Sequence, residues 1–193
     1  KLGFTVTERS NLGREQMVSA VAEFAAALPA GATALVYFGG HGMQVAGGNY
    51  LVPVDMVPTS EQSVQLKTYP LVTLLERLSA AKSSVNIVVL DACRNNPFQP
   101  APPVRYRSFE KLGLASTHAP RGTLIAYSTA PGQLAEDGKG QNSTYAAALA
   151  RHIVTPEVEL EQIFKRVADE VRRKTLDDQI PWYESSLADK YYF

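Results

Sequence analysis

Hydrophobic and polar positions along this chain follow two different periods, and their alternation predicts the order of its secondary-structure elements. Runs rich in β-branched and aromatic residues, bounded by turn formers, predict strands at residues 4–7, 34–38, 87–90 and 123–127. Apolar residues at helical spacing predict four helices. The residues that mark these helices are Met17, Val21, Phe24, Leu28, Leu71, Leu74, Leu75, Leu78, Tyr145, Ala148, Leu149, His152, Ile153, Leu160, Ile163, Phe164, Val167 and Val171.

The residues that precede these helical patterns predict where the helices begin. Asn11 is the predicted cap of the first helix, Pro70 occupies a first-turn position, and Thr155 with Pro156 precedes the last helix. Strands and helices alternate as βαβαβ, and parallel neighbours need crossover connections. The predicted fold class is therefore α/β, with a mostly parallel sheet and helices on both faces, in one domain over residues 1–193.

Composition and charge limit the kinds of molecule that this chain is expected to bind. The chain has 193 residues, of which 45% are hydrophobic, which suffices for a packed core. Nineteen basic residues balance nineteen acidic ones, so no global field would hold nucleic acid or an anionic membrane surface. The longest apolar runs have the length of a strand and fall short of the roughly 20 residues that span a bilayer. We expect neither a nucleic-acid nor a membrane partner, and take the cytoplasm as the working location.

A proline-rich segment interrupts the alternation at residues 95–121. It carries five prolines and scattered basic residues, and the sequence predicts a long exposed loop there, of the kind that joins two subunits. Long exposed loops are where nicking concentrates, so cleavage in this segment is a hypothesis. Its basic residues are Arg105, Arg107, Lys111 and Arg121.

Two predicted strands are followed by residue types that can act in catalysis. Residues 34–42 read ALVYFGGHG, a strand that runs into a glycine-rich turn carrying His41, and residues 86–95 read NIVVLDACRN, a strand that ends at Asp91 and Cys93. In an open α/β sheet, ligands bind outside the carboxyl ends of the strands. A cysteine attacks as thiolate and a neighbouring imidazolium lowers its pKa, so a Cys/His pair at this edge predicts nucleophilic chemistry.

Simpler interpretations exist for each candidate. A lone cysteine is most often a small buried hydrophobe, although the polar turn after Cys93 argues against that, and Asp91 could merely cap a turn. Asp137 could be an ordinary solvated acid, and His118 and His152 are better interpreted as structural. No spacing of three ligands indicates a metal, a single cysteine excludes an internal disulfide, and the chain contains no GxSxG elbow and no complete P-loop.

The ordered motifs resemble those of the caspase, paracaspase and metacaspase superfamily, including the bacterial caspase-like proteins called orthocaspases. YFGGHG is followed by DACRN, with 52 residues from His41 to Cys93; YSTAPG follows at residues 127–132 and QIPWYESSL at residues 179–187. The four motifs cover nearly the whole chain. The resemblance implies a caspase-like α/β sandwich and a cysteine endopeptidase.

The resemblance also implies roles for the candidate residues. Cys93 is expected to be the nucleophile, His41 the general base and acid, and the backbone N–H groups of Gly42 and Cys93 the oxyanion donors. The expected partner is a peptide or protein substrate, with the chain's own loop as one possibility. No organic cofactor is expected; some relatives need calcium, but the sequence offers no identifiable site. The rival interpretation is a non-catalytic caspase-like module that binds partners.

Two departures from the caspase pattern concern the substrate specificity and the N-terminal extent of the domain. Asp91 stands two residues before Cys93, where aspartate-cleaving caspases carry glutamine and metacaspases and paracaspases carry aspartate. The stretch after YSTAPG resembles the metacaspase segment that ends in a pocket acid, for which Asp137 is the candidate and Glu136 the alternative. Together these acids predict cleavage after basic residues, with Arg preferred to Lys. The family's first central strand and its helix are absent, so we expect an N-terminally truncated domain.

Overall fold

Twelve helices and strands are present in the described part of the computed structural model, which comprises residues 2–92, 98, 119–130 and 142–193. The helices are α1 (Arg14–Ala27), α2 (Glu61–Lys67), α3 (Leu71–Ala80), α4 (Thr144–His152) and α5 (Leu160–Lys174). The strands are β1 (Thr33–Gly39), β2 (Gly42–Val45), β3 (Gly48–Leu51), β4 (Tyr69–Pro70), β5 (Val85–Asp91), β6 (Thr123–Tyr127) and β7 (Trp182–Ser185).

The main sheet has four strands in the order β1-β5-β6-β7. β1 pairs with β5 and β5 with β6 in parallel, whereas β7 pairs with β6 in the antiparallel direction. All five residues of β6 and the five inner residues of β5 are buried, as expected for central strands covered on both faces. The predicted α/β class with a mostly parallel sheet is confirmed.

Alternate residues of β5 enter two separate cores, one on each face of the sheet. Val88 and Leu90 pack with α1 and α3, while Ile87 and Val89 pack with α4 and α5. Successive side chains of a strand point to opposite faces, so an unbroken apolar run serves both cores at once. The prediction of helices on both faces is therefore confirmed as well.

A second, smaller sheet in the order β2-β3-β4 follows β1, and the sequence did not predict it. β2 and β3 form a hairpin whose two connecting residues, Ala46 and Gly47, both have positive φ (46° and 80°). Such mirror-image turns match the twist of the paired strands. Alanine is a rare choice at such a position, and four-residue strands leave little periodicity to detect, so the local signal was weak.

The structure corrects the prediction at the N-terminus. Residues 4–7 form no strand: Val6 is 81% exposed, and among the described residues no strand pairs with this segment. A high β-propensity describes fitness for a pleated, half-buried surface, and without a neighbouring strand it stabilises nothing. The predicted cap Asn11 is also wrong, because α1 begins at Arg14 behind Gly13, whose N–H donates to the Gln16 side chain at 2.9 Å.

Other helix starts differ by a few residues from those predicted. Pro70 stands directly before α3 rather than in its first turn, and α5 begins after Glu159 rather than behind Pro156. The predicted loop at residues 95–121 lies almost entirely outside the described residues. Within the described part of the chain, no helix is both long and apolar enough to cross a membrane.

Candidate active site

The ends of β1 and β5 lie side by side at the carboxyl edge of the main sheet. Gly39 is in register with Asp91, and the N–H of Gly40 donates to the Asp91 carbonyl at 3.2 Å. His41 is the next residue after Gly40, and Cys93 follows Asp91 by two residues. Cys93 itself lies outside the described residues. The register therefore brings the described histidine to the edge from which the cysteine-bearing strand also emerges.

His41 is exposed in the short connection between β1 and β2. Its carbonyl accepts the N–H of Val52 at 2.9 Å, which anchors the turn to the hairpin. Gly42 and Leu51 are the next opposite residues, and hydrogen-bonded and non-hydrogen-bonded pairs alternate along antiparallel strands. The N–H of Gly42 therefore points away from β3 and is not used in pairing with that strand.

The two glycines before His41 make room for aromatic rings. A Cβ atom on Gly39 would lie 3.2 Å from Cε1 of Tyr37, and one on Gly40 would lie 3.1 Å from Cζ of Phe38. These rings therefore lean forward along the strand, on its two faces, toward the carboxyl edge. Gly39 and Gly40 therefore have a packing role, which the residue types alone did not indicate.

Asp91 ends β5, and two hydroxyl groups hold its carboxylate. The Tyr37 hydroxyl donates to Oδ2 at 2.9 Å, and Ser143 Oγ donates to the same oxygen at 2.5 Å. Ser143 also caps α4 by accepting the N–H of Ala146 at 2.8 Å. No lysine or arginine among the described residues forms an ion pair with Asp91. The carboxylate is thus oriented by neutral donors, and its charge has no basic partner in the part of the chain described.

The negative charge of Asp91 contributes to a raised pKa at two tyrosines. Burial, together with the charge and the hydrogen bond of Asp91, raises the pKa of Tyr37 well above its usual range. Burial, and then the charges of Asp91 and Tyr37, do the same to the pKa of Tyr145, which lies on α4. The Tyr145 hydroxyl is buried and has no hydrogen-bond partner among the described residues. Both phenols therefore remain protonated, and that of Tyr37 donates to the carboxylate.

The sequence pattern did not indicate that Tyr37, Ser143 and Tyr145 are neighbours of Asp91. Tyr37 is in the YFGGHG motif, and its place two residues before Gly39 was a usable signal once the β1–β5 register was known. Ser143 and Tyr145 had no such signal, because they come from a helix more than 50 residues further along the chain.

Of the remaining candidates, His152 has structural contacts, and three others lie outside the described part of the chain. His152 Nε2 lies 2.8 Å from Glu170 Oε2, and Arg151 and Lys174 also bind that carboxylate, which agrees with a structural histidine. Asp137, Glu136 and His118 lie outside the described residues. Within the described ranges, no group of three His, Cys, Asp or Glu side chains could hold a metal ion.

A mostly parallel α/β sheet, with His41 and Asp91 at its carboxyl edge, is consistent with the caspase-like α/β class. Residues 1–192 match the Peptidase_C14 caspase domain, and the chain belongs to this peptidase family. It is also similar to mucosa-associated lymphoid tissue lymphoma translocation protein 1 of human and to the mouse homolog, each 31% identical over 94 residues. The match covers 49% of this chain but only 11% of either relative.

Proposed function

We propose that this chain is a cysteine endopeptidase that cleaves peptide bonds after basic residues through Cys93 and His41. The observation that carries the proposal is the register of β1 and β5, in which Gly40 is bonded to the Asp91 carbonyl. In this register His41 follows the end of one strand and Asp91 ends its neighbour, which supports a pairing of His41 with the cysteine two residues after Asp91. Membership of a peptidase family supports the same reaction class.

In the proposed reaction, His41 accepts the proton of the Cys93 thiol, and the thiolate attacks the scissile carbonyl carbon. The oxygen of the tetrahedral intermediate accepts hydrogen bonds from the N–H groups of Gly42 and Cys93. Collapse breaks the C–N bond while His41 delivers its proton to the leaving amine. Water, deprotonated by His41, then hydrolyses the thioester and releases the acid product and the free thiol.

Asp91 supports the preference for a basic side chain. It is half-buried, its Oδ2 is oriented by Tyr37 and Ser143, and it lacks a basic partner among the described residues. A guanidinium would supply the missing positive charge and could form two charge-assisted hydrogen bonds, which an ammonium group cannot match in geometry. We propose Asp137, with Glu136 as the alternative, as the second acid. This part of the proposal rests on sequence resemblance.

The proposed reaction needs no cofactor, and each of its proton transfers is assigned to His41. Some members of the resembling superfamily need calcium, and adding a chelator to the assay tests whether this chain does. The candidate substrates are peptides and proteins with an accessible basic residue, including the chain's own segment at residues 95–121. No specific observation favours the rival, a non-catalytic binding module.

A matched set of fluorogenic peptides that differ only in an Arg, Lys, Asp or Ala at the cleavage site tests the proposal. We expect hydrolysis in the order Arg, Lys and then Ala, with Asp slowest, and no hydrolysis by Cys93→Ala. A peptidyl fluoromethyl ketone ending in Arg should label the wild type at Cys93 but not His41→Ala. Equal hydrolysis by Cys93→Ala would contradict the proposed nucleophile, and a preference for Asp would contradict the proposed specificity.

A further inference from the structure

The hydrogen-bond ladder between β5 and β6 changes one residue before Cys93. Up to that point it is regular: the N–H of Ser128 donates to the Leu90 carbonyl at 2.9 Å. In a parallel ladder, the next bond would run from the N–H of Ala92 to the carbonyl of Ser128. That N–H donates instead to Ser128 Oγ at 3.1 Å, and the Ser128 carbonyl accepts Nε2 of Gln179 at 2.7 Å. Two side chains have thus replaced one backbone bond.

These substitute bonds belong to a buried chain of polar groups that begins at the end of α5. Thr175 Oγ1 donates to the Val171 carbonyl at 2.9 Å and accepts the N–H of Gln179 at 3.1 Å. Ser128 and Gln179 are fully buried, with 0% exposure. Satisfied polar networks in a protein interior are rigid, because breaking one bond strands a buried donor or acceptor. The position of Ala92 is therefore tied to the end of α5, the helix that packs on one face of β5 and β6.

The replacement also explains where β5 and β6 separate. A hydroxyl inserted between the N–H of Ala92 and the neighbouring strand ends direct backbone pairing at Leu90 and Tyr127. A plain ladder bond would have satisfied Ala92 and Ser128 without burying two further polar side chains. The observed arrangement opens the sheet at its carboxyl edge, where a parallel α/β sheet binds ligands, and it does so at the residue that precedes the single cysteine.

We infer that Ser128 and Gln179 are positioning residues for the Cys93 backbone, acting through Ala92. The inference rests on the proposed function, in which Cys93 supplies both the thiolate and an oxyanion N–H. Neither residue touches the substrate in this scheme. A displacement of the reacting groups by about 1 Å lowers a rate by roughly a hundredfold, so loss of either side chain should act on the chemical step rather than on substrate binding.

The test compares Ser128→Ala and Gln179→Met with Thr68→Val, which removes another fully buried hydroxyl, one bonded to the Val64 carbonyl at 2.6 Å. We expect Ser128→Ala and Gln179→Met to lower kcat by roughly tenfold to a hundredfold, with KM changed less than about threefold. Thr68→Val should lose stability and keep kcat. Ser128→Thr, which retains the hydroxyl, should recover most of the rate lost in Ser128→Ala.

A second measurement separates failure of this inference from failure of the proposed function. Cys93 is the only cysteine, so the rate of alkylation by iodoacetamide reports on its thiol whether or not the protein cleaves peptides. Ser128→Ala and Gln179→Met should each change this rate by more than about threefold below their unfolding temperatures, and Thr68→Val should not. An inactive wild type with these altered rates would overturn the peptidase proposal alone. Unchanged kcat and alkylation in both variants would overturn the positioning role.

Discussion

The ends of β1 and β5 are neighbours in one sheet, yet they are held in opposite ways. β5 is an inner strand, and Ala92 beyond its end is buried and bonded to the side chain of buried Ser128. β1 is the edge strand of the described sheet; Tyr37 is 46% exposed, and His41 is exposed beyond it. The end of β1 is held by the Tyr37 ring, which packs over Gly39, and by the hydrogen bond from Val52 to His41. The two halves of the candidate site therefore differ in burial and in the type of contact.

This difference between the two strand ends fits the separate tasks that the proposed mechanism gives to Cys93 and His41. An oxyanion donor and a nucleophile must keep one geometry throughout the reaction, and buried hydrogen bonds provide that. A general base that later acts as acid must take a proton from one atom and deliver it to another, which an exposed side chain on a short turn can do. The comparison predicts that changes at the β1 end affect chemistry or specificity without loss of stability.

The largest expected effect is that of His41→Ala. Because His41 is exposed and packs against little, its removal should leave the melting temperature unchanged while kcat falls by about 10⁴-fold, the upper range for loss of an acid–base group. Steady-state hydrolysis of the Arg peptide together with thermal unfolding measures both. His152→Ala is the matched control: it loses the contact with Glu170 and should reduce stability with kcat intact. Normal kcat in His41→Ala would remove His41 from the mechanism.

The next effect in size is that of Asp91→Asn. The change removes the negative charge but keeps the shape and an oxygen that can accept from Tyr37 and Ser143. We expect kcat/KM for the Arg peptide to fall by roughly 10²- to 10³-fold and that for the Ala peptide to change little. Asp189→Asn, at an exposed acid, is the control. An undiminished ratio of Arg to Ala hydrolysis would show that other residues build the pocket.

A smaller effect is expected from Tyr37→Phe, which removes one of the two hydroxyl donors to Asp91. Because the donor is half exposed, its contribution is about 1 kcal/mol, or roughly fivefold in kcat/KM for the Arg peptide. The exposed Tyr192→Phe should leave the value unchanged. Comparable losses with the Arg and Ala peptides would instead indicate a general distortion of the β1 end.

No effect on activity is expected from Glu170→Gln, which lies at the α4–α5 contact and away from both strand ends. Burial alone would raise the pKa of Glu170, but hydrogen bonds from Lys174, Arg151 and His152 lower it from 4.5 to about 2. With the pKa lower in the folded state, the carboxylate stabilises the fold above pH 4.5, and this stabilisation is lost as the pH falls toward 2.

Urea midpoints measured between pH 2 and pH 6 check this prediction. Wild type should exceed Glu170→Gln in stability near pH 6, and the difference should shrink as the pH falls through the window between the two pKa values. A difference that stays constant across the window would show that the charge of Glu170 contributes no stability. Altered kcat at neutral pH would show coupling between this contact and the strand ends.

The local pattern of apolar and polar residues was enough to predict much of the fold. The apolar runs of β1, β5 and β6 and the amphipathic faces of α1, α3, α4 and α5 could be recognised in the sequence, because packing in a layered α/β domain imposes short-range periods on the chain. Residues 4–7 show the limit of that reasoning. Their composition favours a strand, but a strand exists only beside a partner, and propensity does not record one.

By itself, the sequence determined the order of the main strands along the chain and the placement of His41 and Asp91 at or just beyond strand ends, because a strand's period and the turn residues after it are local properties. Only the tertiary structure decided what these residues touch. The Tyr37–Asp91 bond joins residues 54 apart, Ser143 reaches Asp91 from 52 residues away, and Gln179 reaches Ser128 across 51. Such contacts follow from register and layer packing, which depend on the whole sheet and leave no periodic trace in the sequence.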